Sequence, residues 1–174
     1  VCCRYQSDAE RIKRALVNRL AKYNLRLNED KTRCVPFSKR QSILPRKRNT
    51  FDFLGFTFYW GRSIRGAVIP KIKTSKQRLR SKLRALTEWI KEARNRMTLK
   101  QVWGLFCAKL RGHFQYYGVS FNAEGIRQFL YEAKRIVFHW LNRRSQRRSF
   151  SWDKFLLFIA RHPLPPMKIQ HKLF

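Results

Sequence analysis

The sequence predicts an α+β protein, with a mixed piece of helix and short antiparallel strands over residues 1–69 and an all-α bundle of three long helices over residues 70–174. Three observations carry this expectation. After Pro70 the apolar residues recur at helical spacing in three successive runs, each opened by a capping residue. Ahead of Pro70 the apolar runs are short and interrupted by turn residues. The 174 residues are 44% hydrophobic and 14% aromatic, ample material for a core.

The elements follow in order. VCCRY reads as the end of a strand. Ser7 and Glu10 fit the S-x-x-E capping box of a helix reaching about Tyr23, with Ile12, Leu16 and Leu20 on one face. Asn24 suits a left-handed stop. LRL, the polar NEDKT at 28–32 and RCVPF read as strand, turn and strand, Pro36 confining the last to an edge. Residues 38–50, SKRQSILPRKRNT, carry five basic groups and no acid, which suits an exposed loop.

FDFLGFTFYW, residues 51–60, reads as one strand apolar on both sides. Period-two alternation puts Phe51, Phe53, Gly55, Thr57 and Tyr59 on one face, and Leu54, Phe56, Phe58 and Trp60 with Asp52 on the other. GRSIRG and AVIP then complete a hairpin with a loop longer than two residues. From Thr74 or Ser75 to about Met97, Leu79, Leu83, Leu86, Ile90, Ala93 and Met97 form one helical stripe. Thr98 and Gln101 make a capping box for a helix that stops at Gly118. Asn122 caps a third helix with Ile126, Phe129, Leu130, Ala133, Val137, Trp140 and Leu141 on its buried side. RRSQRRS at 143–149 is a basic break, Ser151 caps a short last helix, and HPLPP cannot continue it.

The charge balance bounds the function. Forty Lys and Arg face 10 Asp and Glu, a net charge of +30, with an isoelectric point near 11.3. Such a chain repels itself unless it meets a polyanion, and nucleic acid is the first such partner. No apolar run reaches the ~20 residues of a transmembrane helix, and the N-terminus lacks a signal-peptide layout, so a cytoplasmic protein with no membrane partner is expected. Cys2, Cys3, Cys34 and Cys107 include no C-x-x-C and read as reduced thiols. The four histidines lack ligand spacing, and no metal is assigned.

Enzyme chemistry finds little footing. Glu29 and Asp30 are adjacent, so on a strand they face opposite ways, and the other carboxylates are isolated. There is no Gly-rich phosphate loop and no nucleophile elbow. The binding surfaces are clearer. Lys71, Lys73, Lys76, Arg78, Arg80, Lys82 and Arg84 crowd the start of the first long helix without one carboxylate, a pattern that releases counterions on phosphates. Arg111, His113, Tyr116 and Tyr117 join positive charge to aromatic faces able to stack, although helix-end packing is the plainer reading of the two tyrosines.

Three segments together resemble a known family. LRLNEDKT, FDFLGF and the basic helices carrying LRGHFQYYG and FHWLNRR are similar to the C-terminal portion of group II intron-encoded reverse transcriptases and maturases, over nearly the whole chain. The resemblance implies a partial reverse-transcriptase palm in residues 1–69, including the primer-grip hairpin, and a thumb or maturase-specific domain in 70–174. It adds Phe53, Leu54, Gly55 and Phe56 to the nucleic-acid-binding residues as a primer grip, and Arg143 and Arg144 at the end of the third helix. It implies group II intron RNA and a template–primer duplex as partners, with an N-terminal fingers–palm fragment as a further one.

Polymerisation in that family uses Mg2+ held by three aspartates of palm blocks that this chain does not contain. No cofactor is therefore expected in the chain itself, and it is expected to be inactive alone. Lys31 is a candidate general acid toward a pyrophosphate leaving group, against a plainer reading as a phosphate contact or solvated turn residue. Two alternatives stand beside this: a free-standing RNA-binding splicing helper without polymerase activity, and a basic structural RNA-binding protein.

Overall fold

A computed structural model describes residues 1–39, 50–144 and 151–172. The basic loop expected at 38–50 and the basic break at 143–149 lie largely outside the described residues. The order is α1 (Gln6–Ala21), β1 (Phe51–Phe53), β2 (Phe56–Arg62), β3 (Val68–Thr74), α2 (Lys76–Arg96), α3 (Leu99–Tyr117), α4 (Ala123–Leu141) and α5 (Trp152–Arg161). By contacts the chain falls into two compact units, Val1–Ser38 and Lys39–Phe174.

In the first unit α1 begins at Gln6, one residue before the expected cap. Ser7 thus lies inside the helix, and Glu10 accepts from the Gln6 side chain instead of closing a capping box. The helix ends as expected: Asn24 takes a φ of 55°, and the amides of Asn24 and Leu25 return to the carbonyls of Ala21 and Leu20. Strands at VCCRY, LRL and RCVPF do not form. A segment this short has no ladder within the unit to receive its backbone groups, and strands without such partners are not stable. The Asn28 side chain accepts from the Lys31 amide and organises the polar turn that the sequence predicts there.

In the second unit FDFLGFTFYW is not one strand. Leu54 and Gly55 both take positive φ, 50° and 81°, and fold it into a two-residue hairpin of the kind whose twist matches its strands. Phe53 therefore pairs with Phe56, Asp52 with Thr57 and Phe51 with Phe58. The turn reverses the parity of every residue after it, so Phe51 and Phe53 share a face with Phe56 and Phe58 rather than with Thr57 and Tyr59. Loop Ser63–Ala67 then leads into β3, and the sheet order is β1-β2-β3, antiparallel throughout. Pro70 sits in β3, an edge strand, where the missing amide costs no ladder bond.

Four helices pack together beyond the sheet. Ser75 and Thr98 cap α2 and α3 through their hydroxyls, the latter in a full capping box, and Ser151 caps α5. The expected stripe of α2 supplies Leu86, Ile90 and Ala93 to a core completed by Phe106, Leu110, Phe114, Ile126, Val137 and Phe155, with Phe56 and Ile72 entering from the sheet. Each fully buried side chain of this kind contributes roughly 1.5–3 kcal/mol.

Asn122 is the N-cap residue of α4 as expected, but its side chain makes no capping hydrogen bond. It is fully buried, and its Oδ1 accepts from the Thr74 amide at 2.7 Å while its Nδ2 donates to the Tyr117 carbonyl at 2.9 Å, joining the ends of β3 and α3 to the start of α4. Gly118 ends α3 because the chain passes too closely for any side chain: a Cβ there would lie 2.7 Å from the Lys168 carbonyl oxygen. The tail crosses this junction through Gln170 and His171, whose amides donate to the Gly118 carbonyl.

Candidate nucleic-acid interface

The hairpin turn decides where the charges go. One face of the sheet carries Phe56, Phe58 and Ile72 into the core. The other carries Asp52, Thr57 and Lys73 in one cross-strand row and Tyr59 and Lys71 in the next. Helix α2 leaves β3 alongside that second face, and Lys76, Arg80 and Arg84 follow at i, i+4 and i+8 along it. Sheet and helix thereby enclose an open cleft of about 800 Å³.

Four cations line the cleft: Lys73, Lys76, Arg80 and Arg84. The rest of its lining is Thr50, Asp52, Thr57, Gln77 and Ser81, so every lining side chain is polar and none is aromatic. Among the described residues the ion pairs are Lys91–Glu88, Arg127–Glu124 and Arg135–Glu132, all within single helices, so the cleft cations keep their charge for a ligand.

The seven basic residues expected to act together are thus divided. Arg78 turns to the hairpin tip, where its Cγ lies 3.4 Å from the position of a Cβ on Gly55. Lys82 lies close enough to His113 to depress its pKa, and the Lys71 ammonium lies 5.3 Å from the centre of the Phe121 ring.

The hairpin tip is held from two helices. The Tyr116 hydroxyl donates to the Leu54 carbonyl at 2.8 Å, and the Ser75 amide donates to the Gly55 carbonyl at 2.9 Å. Phe53 and Leu54 stay exposed at 58% and 66%, whereas Phe56 is buried and packs on the rings of Tyr116 and Tyr117. Tyr117 is buried too; burial and then the neighbouring Tyr116 push its phenol up, against the nearby Arg78. Of the two tyrosines only Tyr116, half exposed, offers a ring to solvent.

At the other end of α2 the ring of Trp140 is approached by Arg94 at 4.8 Å, Lys91 at 5.3 Å and Arg143 at 5.5 Å. Arg144 is exposed beside them in sequence, and Arg111 is exposed on α3. Lys31 is exposed on its turn in the first unit.

The described residues contain no group of three His, Cys, Asp or Glu able to hold a metal ion. No helix among them is long and apolar enough to cross a membrane.

Sequence reasoning missed Thr50, Asp52, Thr57, Gln77 and Ser81. Their only sequence signal is the position of the turn, because the register puts Asp52 and Thr57 beside Lys73. Comparison of the chain with protein-family models, with curated proteins and with solved structures finds no match.

Proposed function

We propose that this chain is the RNA-binding C-terminal segment of a group II intron reverse transcriptase and maturase, gripping intron RNA and a template–primer duplex in support of splicing and RNA-directed DNA synthesis. The observation that carries the nucleic-acid step is the all-polar cleft between sheet and α2, with four cations and one carboxylate. Phosphate contacts of this kind position a nucleic acid without reading its sequence. The family step rests on the resemblance of LRLNEDKT, FDFLGF and LRGHFQYYG. In this reading the exposed tip Phe53–Leu54 meets the primer, Gly55 and Phe56 set the tip on the helices, and the cations at Trp140 extend the contact along the RNA.

The test is RNA affinity as a function of salt. Four phosphate contacts contribute a slope of about 3 in log K against log salt. The variant K73A/K76A/R80A/R84A should bind more weakly and lose about 3 units of slope, with its helical circular dichroism unchanged. A slope that survives the four substitutions defeats the cleft as the interface. Primer extension on adding a fingers–palm fragment supports the polymerase reading over that of a free-standing splicing helper. Extension by the chain alone contradicts it.

A further inference from the structure

Asp52 is the one carboxylate among the residues that line the cationic cleft. Among the described residues no cation stands within ion-pair distance of it; its Oδ1 instead accepts from the Thr57 hydroxyl beside it in the sheet. A carboxylate repels phosphate, so its favourable contact with a bound polyanion is as the acceptor of a ligand's hydrogen.

The lining says which hydrogen that is. No aromatic or apolar side chain lines the cleft, and the nearest ring on that face, Tyr59, already carries the Lys73 ammonium 5.0 Å from its centre, so a base finds no free ring on which to stack. What enters is the sugar–phosphate backbone. Along a backbone the phosphate, linking and ring oxygens only accept, and the one donor within the strand is the ribose 2′-hydroxyl, which DNA lacks.

Resting on the nucleic-acid reading above, we propose that Asp52 accepts a hydrogen bond from a ribose 2′-hydroxyl while Lys73, Lys76, Arg80 and Arg84 hold the flanking phosphates, so that the cleft selects RNA over DNA. Thr57 is a positioning residue that fixes the carboxylate.

The experiment uses one sequence made as RNA, as 2′-fluoro RNA and as DNA, with affinities measured by fluorescence anisotropy at fixed salt. The 2′-fluoro strand keeps the ribose-like sugar pucker but has no hydrogen to donate. The whole chain should bind RNA about tenfold more tightly than 2′-fluoro RNA, as loss of a hydrogen bond to a charged group implies. Asp52→Ala should remove that ratio while leaving DNA affinity equal or higher, and Thr57→Val should narrow it. Asp52 is exposed, so its replacement leaves the core intact.

Salt-dependent RNA binding without discrimination against 2′-fluoro RNA overturns the proposal and leaves the nucleic-acid reading standing. So does an Asp52→Ala variant that binds all three strands more tightly by the same factor, which would make Asp52 a repulsive charge only. A preference that follows the base and ignores the sugar overturns it equally. Absence of salt-dependent binding to any strand brings down both readings.

Discussion

His113 lies with its ring stacked on Phe129, centroids 3.5 Å apart, and is 7% exposed. Burial, and then the charge of Lys82, lowers its pKa from 6.5 to about 4, so the folded protein holds it neutral. The unfolded chain takes up a proton near pH 6.5 that the folded chain refuses until about pH 4, and stability therefore falls as pH drops across that window. The loss should be on the order of 3 kcal/mol, read as urea midpoints between pH 7 and 4, with His113→Phe flattening that part of the profile. Cys107 differs from its three counterparts in the same way: it is buried and its thiol pushed up by desolvation, whereas Cys2, Cys3 and Cys34 are exposed. Alkylation of the native protein should label those three and spare Cys107 until the chain unfolds.

At the scale of elements, the helices of the second unit and the hairpin through GRSIRG were legible, and the turn at Leu54–Gly55 was not. Ser75 and Thr98 mark ends that follow from local chemistry, and the α2 stripe needs only its period to declare a buried face. The first hairpin hid because its turn is Leu54–Gly55, and leucine rarely takes a positive φ. A strand continued through Gly55 gave wrong faces to every residue after it and concealed the row Asp52, Thr57, Lys73. The strands expected near residues 25–37 failed differently, since their local pattern was sound but a strand depends on a partner that local pattern does not supply. Two glycines separate the sources of turn stability. Gly66 has a φ of 79° with open space about it, whereas Gly55 at 81° would place a Cβ 3.0 Å from the Tyr117 hydroxyl. Gly66→Ala should cost about 1 kcal/mol and Gly55→Ala about 2 or more, measured by thermal melts. Gly55→Val should also weaken RNA and primer binding; binding that survives it would defeat the role given to the tip.

At the scale of the whole molecule, a net charge of +30 opposes compactness, and buried joints have to offset it. Asn122 is the clearest of these because three elements end on it and every one of its bonds is buried. Its place before α4 was legible from sequence. Its partner Thr74 was not, lying 48 residues away across a register that only the folded sheet reveals. Asn122→Ala should cost about 3 kcal/mol, because the Thr74 amide and the Tyr117 carbonyl would stay buried without partners. Equilibrium denaturation checks this, and a loss below about 1 kcal/mol would show the joint to be dispensable.

The two carbonyls at the hairpin tip are each taken by a different helix, Leu54 by Tyr116 of α3 and Gly55 by Ser75 at the start of α2. The tip therefore has little conformational freedom left to lose. A partner seated on Phe53 and Leu54 meets a surface already ordered, and its affinity is not reduced by the cost of freezing a loop. Tyr116→Phe removes one of the two ties without removing the ring. It should weaken binding through a less favourable entropy, with the enthalpy of contact nearly unchanged.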